Sequence, residues 1–176
     1  MFLKKVLLIS LFLGYLAPSQ AQLFLDPSAK KVGSIDAIIT ELYRVNSGKP
    51  GFERNWGDFK YLFYPNAKII PTGTSLDGNH LAKYLSTDAY KNTSATWLKE
   101  EGYIEKEIHR KMDVFGNMAH VFSTFEVYHT ENDPAPAMRG IKSIQLLNDG
   151  IRWWIVNLYW SLETPKKPIP SDYLPK

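Results

Sequence analysis

Cysteine is absent from this 176-residue chain. That excludes disulfides, thiolate metal sites, a cysteine nucleophile and a lipidated cysteine anchor. Charge of one sign is scarce too. The formal net charge is +3, too small for the basic field of a nucleic-acid binder, and no nucleic-acid module is visible. Gly-rich phosphate loops, HExxH and a nucleophile elbow are missing. No cofactor and no metal are therefore expected. What remains is an ordinary globular mix, 44% hydrophobic and 22% charged, of a length that suits one domain. Aromatic residues are plentiful, with five Trp, ten Tyr and nine Phe.

The N-terminus has the pattern of a cleavable export signal. Lys4 and Lys5 precede an apolar run from Val6 to Ala17, and Ser19 and Ala21 stand at the −3 and −1 positions of a cut before Gln22. The run is too short for a helix across a bilayer, which needs roughly 20 residues. Cutting there removes two lysines and no acid, so the formal charge falls from +3 to +1. The expected organisation is signal 1–21, linker 22–33, a domain over 34–163 and a Pro-rich extended tail over 164–176. A periplasmic or secreted protein with no membrane contact after signal removal follows.

Periodicity predicts a helix from Ser34 to Asn46, with Ser34 as its cap and Ile35, Ile38, Ile39, Leu42 and Tyr43 on one face. A short helix follows Asn55, and a third runs from Ser86 to about Glu101, where Gly102 ends it. Lys68–Ile70 and His80–Leu85 form a hairpin around a turn-rich loop. From Tyr103 the period becomes two. Four strands are predicted, over Tyr103–Phe115, Met118–Thr130, Gly140–Leu147 and Ile151–Glu163, with turns at Gly116-Asn117 and Asp149-Gly150. Helices first and strands last predict an α+β fold, its antiparallel sheet curled around three helices.

Tight turns set a register. With Phe115 opposite Met118, the inner face carries Ile108, Arg110, Met112 and Val114 beside Ala119, Val121, Ser123 and Phe125. Glu105, Glu107, His109, Asp113, His120 and Phe122 then face outward. With Asn148 opposite Ile151, one face carries Lys142, Ile144 and Leu146 beside Trp153, Ile155, Asn157 and Tyr159. The other carries Ser143 and Gln145 beside Trp154, Val156, Leu158 and Trp160. That second face is apolar enough to want a partner.

Three stretches support a resemblance. They are Asn55-Trp56-Gly57-Asp58-Phe59-Lys60-Tyr61-Leu62-Phe63; Glu107-Ile108-His109-Arg110-Lys111 with Phe115 to Val121; and Ser143 to Gly150 with Arg152-Trp153-Trp154-Ile155-Val156. Over Ser34 to Ser161 the chain resembles the NTF2-like (SnoaL-like, cystatin-like) superfamily, nearest to bacterial nuclear transport factor 2 family proteins. The resemblance implies a cone whose pocket lies between sheet and helices. Members use it as an enzyme site, a binding cavity or a scaffold. It implies that Trp153, Ile155, Asn157 and Tyr159 face that pocket. It assigns none of them a catalytic role.

Arg110 is the sharpest candidate, because a guanidinium on an apolar face must be paired. It can grip a carboxylate or phosphate through two parallel hydrogen bonds, or it can be held by a helix acid such as Asp58 or Glu41. Ser123, Lys142, Asn157 and Tyr159 would form a polar end to the cavity, and Trp56, Trp97 and Trp153 its walls. His109 and His120 fall on the other face in this register, and a slip would bring both inward. Three functions stay open. The first is binding of a small, partly apolar ligand. The second is an isomerase, dehydratase or hydrolase that pairs Tyr159 with a helix-borne Asp58, since the inner sheet face offers no acid of its own. The third is a homodimeric module whose outer sheet face makes contact through Phe122, Trp154 and Trp160.

Overall fold

The computed structural model describes residues 27–75 and 77–176. The expected export signal lies outside the described residues. Of the expected linker, Pro27–Lys31 forms a 3-10 helix and Val32 is fully buried in the core.

The helices begin where the capping residues place them. Helix α1 (Ile35–Asn46) starts at Ser34, whose Oγ accepts from the Ala37 N–H at 3.1 Å. Helix α2 (Trp56–Tyr61) starts at Asn55, whose Oδ1 accepts from the Gly57 and Asp58 N–H groups. Helix α3 (Thr87–Glu101) starts at Ser86 in the same way. Each cap satisfies an N–H with no partner inside its helix. Gly102 ends α3 at φ +73, and a Cβ there would lie 2.5 Å from the His129 carbonyl oxygen. Glycine is required at that step on both counts.

Six strands form one sheet: β1 (Phe63–Thr74), β2 (His80–Ala82), β3 (Ile104–Phe115), β4 (Met118–Tyr128), β5 (Met138–Asn148) and β6 (Trp153–Leu162). Their order is β2-β1-β6-β5-β4-β3. The sheet is mixed, not wholly antiparallel as expected, because β1 runs parallel to β6. Ile38, Ile39 and Leu42 of α1 and Phe59 of α2 meet Val121, Phe125, Ile144, Leu146 and Ile155 of the sheet in one core.

Two β-bulges decide which side chains enter that core. On β3, Glu107 pairs with Phe125 and His109 with Thr124, leaving Ile108 as an extra residue. On β6, Ile155 pairs with Leu146 and Asn157 with Gln145, leaving Val156 as an extra residue. One extra residue reverses the alternation beyond it and bends the strand. Three expectations are corrected. Glu105 and Glu107 point inward. Leu158 and Trp160 point inward. Asn157 and Tyr159 point outward. The β5–β6 connection is also longer than two residues, since Asn148 pairs with Trp153. That change is an even number of residues, so it preserves parity.

On the helix side, Glu41 anchors an ion cluster. Its carboxylate accepts from Arg44 Nε and Nη2 at 2.6 Å each, and Lys31 Nζ lies 3.2 Å away. The Arg44 hydrogen bonds hold its carboxyl below the ordinary glutamate value, with burial opposing. Its stabilising contribution is therefore complete at neutral pH and is lost as the pH falls through the lowered value. In Glu41→Gln, the unfolding free energy from urea titration should fall at neutral pH by about 1.5 kcal/mol. The deficit should shrink below the ordinary value of 4.5. A deficit that stays constant with pH would remove Glu41 from the acid response.

Candidate functional site

The register lines up Arg110, Ser123, Lys142 and Trp160 across the inner sheet face. Glu107 and Glu105 follow along β3. Arg110, Ser123 and Lys142 are thus brought together as expected, and the β3 bulge adds two carboxylates that alternation alone had placed outside.

These groups close on one another. Lys142 Nζ forms an ion pair with Glu105 Oε2, and the two side chains are 4% and 0% exposed. The ammonium also sits 4.4 Å from the Tyr43 ring centroid and 4.7 Å from that of Phe125. Glu105 accepts further from Tyr103 Oη at 3.0 Å and Asn46 Nδ2 at 3.2 Å. Ser123 Oγ donates to Glu107 Oε1, and Tyr43 Oη donates to Ser123 Oγ at 2.7 Å. Arg110 grips Glu107 through Nε at 2.8 Å and Nη2 at 2.5 Å, and reaches Asp36 through Nη1 at 2.5 Å. The helix acid on Arg110 is therefore Asp36, not Asp58 or Glu41.

Burial sets the electrostatics. It pushes the Lys142 ammonium below its ordinary value, opposed by Glu105. It also pushes the Tyr43 and Tyr103 phenols well above theirs, with Glu105 adding to the rise. Both phenols stay protonated and donate. Arg110 is raised, first by its hydrogen bonds to Glu107. Inside the cone a cavity of about 10 Å³ is bounded by Asn46, Phe59, Tyr90, Tyr103, Lys142 and Trp160. That is the lower limit for a single water.

The other expected site residues are dispersed. Trp56 packs on Phe59 and Tyr90, with ring centroids 5.5 and 6.3 Å away. Trp153 is partly buried against the core, whereas Trp97 is largely exposed on α3. Asp58 sits on the helix side, within 3.4 Å of Arg44. Tyr159 is on the opposite side of the sheet, so the Asp58–Tyr159 pairing expected of an enzyme does not form. Among the described residues, no group of three or more His, Asp or Glu is arranged to hold a metal ion. Glu105, Glu107, Tyr43 and Tyr103 were missed from sequence. The only trace was that Ile104 to Ile108 alternates cleanly in neither phase.

The outer face is open where the cone is shut. Phe115, Met118, Leu147 and Trp154 form one apolar cross-strand row. Phe115 is 79% exposed and Met118 56%. Val114, Phe115, Met118, Leu147 and Val156 line a groove of about 600 Å³ together with the polar Asp113, His120 and Gln145. The next row is polar: Asp113, His120, Gln145 and Asn157. His120 Nε2 lies 2.8 Å from Ser143 Oγ, and Asn157 Nδ2 donates to Gln145 Oε1 at 3.3 Å. Of the three expected contact aromatics, Trp160 is turned inward against Tyr90 and Phe122 is covered by Tyr173. Trp154 stays outside, with the Arg152 guanidinium 3.7 Å from its ring.

No family model matches the chain, and no curated protein does. Solved structures do match. A protein of unknown function with a cystatin-like fold from Nostoc punctiforme is 8% identical, with 74% of this chain and 90% of that one covered at a TM-score of 0.57. An NTF-2 like protein of unknown function from Silicibacter pomeroyi is 14% identical, with 78% and 100% covered at a TM-score of 0.52. An uncharacterised Caulobacter vibrioides protein with a cystatin-like fold is 13% identical, with 76% and 90% covered at a TM-score of 0.54. At these identities the likeness is one of architecture, and together with the helices packed on a curved sheet it identifies the chain as having the NTF2-like, cystatin-like fold.

Proposed function

We propose that the chain is an exported interaction module that associates as a homodimer through the outer face of its sheet. One contrast carries this reading. The cavity inside the cone measures about 10 Å³, whereas the outer face offers a largely apolar groove of about 600 Å³. An exposed apolar patch rimmed by polar groups marks a contact surface. A second copy is the occupant, because a two-fold contact needs a surface complementary to itself. The polar side of the groove supplies an acceptor in Asp113 and a ring nitrogen in His120, beside the Gln145–Asn157 pair. In this reading Arg110, Ser123 and Lys142 hold the cone shut and do not hold a ligand. The export part rests on the signal pattern of residues 1–21.

Sedimentation equilibrium tests the dimer. Association with a Kd of about 10 µM or tighter is expected. Phe115→Asp should weaken it at least about tenfold, since a charge in the centre of an apolar contact is left unpaired. Phe115 is exposed in the single domain, so at concentrations well below the Kd, where the chain is monomeric, this change should leave the unfolding midpoint in place. A chain that stays monomeric at about 100 µM would overturn the reading.

A further inference from the structure

The C-terminal segment 164–176 does not project from the domain. It turns back after β6 and crosses the other half of the outer sheet face. Thr164 and Lys167 bond to each other at the turn. The Ile169 N–H donates to Glu163 Oε1 at 2.9 Å, and Ile169 is 8% exposed. Tyr173 lies against Phe122, with ring centroids 5.5 Å apart, and the Lys111 ammonium is 4.5 Å from its centroid. Thr124 Oγ1 donates to the Tyr173 carbonyl at 2.7 Å. Beneath the segment the outer sheet face presents Phe122, Ile141, Tyr159 and Ser161.

This contact has the form of a bound ligand more than of a strand. The segment adds nothing to the sheet's ladder; the Ile169 and Tyr173 side chains anchor it, with hydrogen bonds from Thr124 to the Tyr173 carbonyl and from Lys167 Nζ to Ser161 Oγ at 2.6 Å. An open groove of about 330 Å³ is lined jointly by the segment and the sheet. That groove is open at the surface, so the segment covers the apolar half-face only in part. The ion pair between Lys111 and Asp172 is long, at 3.8 Å, and joins exposed side chains. Four prolines, Pro165, Pro168, Pro170 and Pro175, keep the segment extended before it binds. That lowers the ordering cost for this segment and equally for any peptide like it.

We propose that the half-face around Phe122, Ile141 and Tyr159 is a receptor groove for an extended peptide of the pattern Pro-aliphatic-Pro followed three residues later by Tyr. The protein's own Pro168-Ile169-Pro170 and Tyr173 occupy it as a displaceable plug. Recognition follows the aromatic-lined mode used for proline-rich segments, in which side-chain anchors supply the energy. The proposal concerns the half-face away from Phe115 and Met118, so it stands or falls apart from the dimer.

The probe is a fluorescent synthetic peptide of residues 164–176, titrated by polarisation against the full chain and against a full-chain variant carrying Ile169→Asp and Tyr173→Ala. A tethered tail acts at an effective concentration of order 1 mM. Against a trans Kd of about 100 µM it weakens apparent binding about tenfold. The variant should therefore bind the peptide about ten times more tightly than the unaltered chain. A peptide carrying the same two replacements should not bind. Equal binding by both chains, or no binding by a variant whose circular dichroism is native, overturns the proposal. If the variant fails to fold, hydrogen exchange on the unaltered chain decides. The Ile169 amide should exchange at least about a hundredfold faster than the core amides of Val121 and Ile144, as expected for local release. Equal protection would make the tail an integral part of the fold and refute the plug.

Discussion

Insertion of one alanine between Asn157 and Leu158 is expected to leave no cooperatively folded protein. Beyond the β6 bulge Asn157 pairs with Gln145 outside and Leu158 with Ile144 inside. If β6 keeps its pairing up to Asn157, the added residue takes the inward position of Leu158 and every later residue changes face. Leu158 and Trp160 would leave the core. Each apolar side chain so exposed forfeits about 1.5–3 kcal/mol. Tyr159 would turn inward with its hydroxyl unsatisfied, at a cost of at least about 1–3 kcal/mol. The combined loss is about 5 kcal/mol or more, which is the entire stability of a marginal domain. Deletion of Val156 should cost far less, because it removes the extra residue of the bulge, makes Ile155–Leu146 and Asn157–Gln145 consecutive pairs and leaves every face unchanged. Urea unfolding followed by Trp fluorescence separates the two. An insertion variant that unfolds in one sharp transition near the wild-type midpoint would show that the residue count beyond the bulge does not set the face.

Lys142→Met should destabilise the fold by about 3–5 kcal/mol, because it strands a buried carboxylate. Met matches the stem of lysine, so the loss reports charge and not volume. Glu105 is fully enclosed and Lys142 is its counterion. Tyr103 and Asn46 would still donate to it, but hydrogen bonds alone do not neutralise the charge. Adding Glu105→Gln removes that charge and retains an acceptor for both donors. The double variant should recover to within about 1–2 kcal/mol of wild type. Equilibrium urea denaturation of the four proteins gives the coupling directly. A single variant within about 1 kcal/mol of wild type, or a double variant worse than the single, would show that the pair is not what holds the cone shut.

The two experiments probe one arrangement. The bulge on β3 carries Glu105 and Glu107 inside, and the bulge on β6 carries Asn157 and Tyr159 outside. The first supplies the carboxylates that neutralise Lys142 and Arg110. The second removes the two residues that would have given the cone a polar mouth. A space that the fold could keep for a ligand is filled by ion pairs and phenols, and the apolar groove lies on the other side of the sheet.

Much of this was legible in the residues. Helix α1 was written in Ser34 and the spacing of Ile35, Ile38, Ile39 and Leu42. The β3–β4 turn was written in Gly116-Asn117, and from it Arg110 opposite Ser123 follows, as the sheet shows. Lys142 shares that face because β5 pairs with β4 without interruption. These features depend on local propensity and on counting from a turn.

The remainder depended on contacts between distant parts of the chain. A bulge adds one residue to one strand and changes no composition, so Ile108 and Val156 look like any other strand residues. The parity of every position beyond them is nevertheless reversed. The parallel pairing of β1 with β6 joins segments about ninety residues apart, and no turn specifies it. The docking of Ile169 and Tyr173 on the outer sheet needs Phe122 and Thr124 to be in place first. The sequence by itself determined the elements, their order and the NTF2-like resemblance, because caps, turns and periodicity act between neighbours. Only the tertiary structure decided which charges face the cone and what lies on the outer face, because one inserted residue reverses a strand without leaving a local sign.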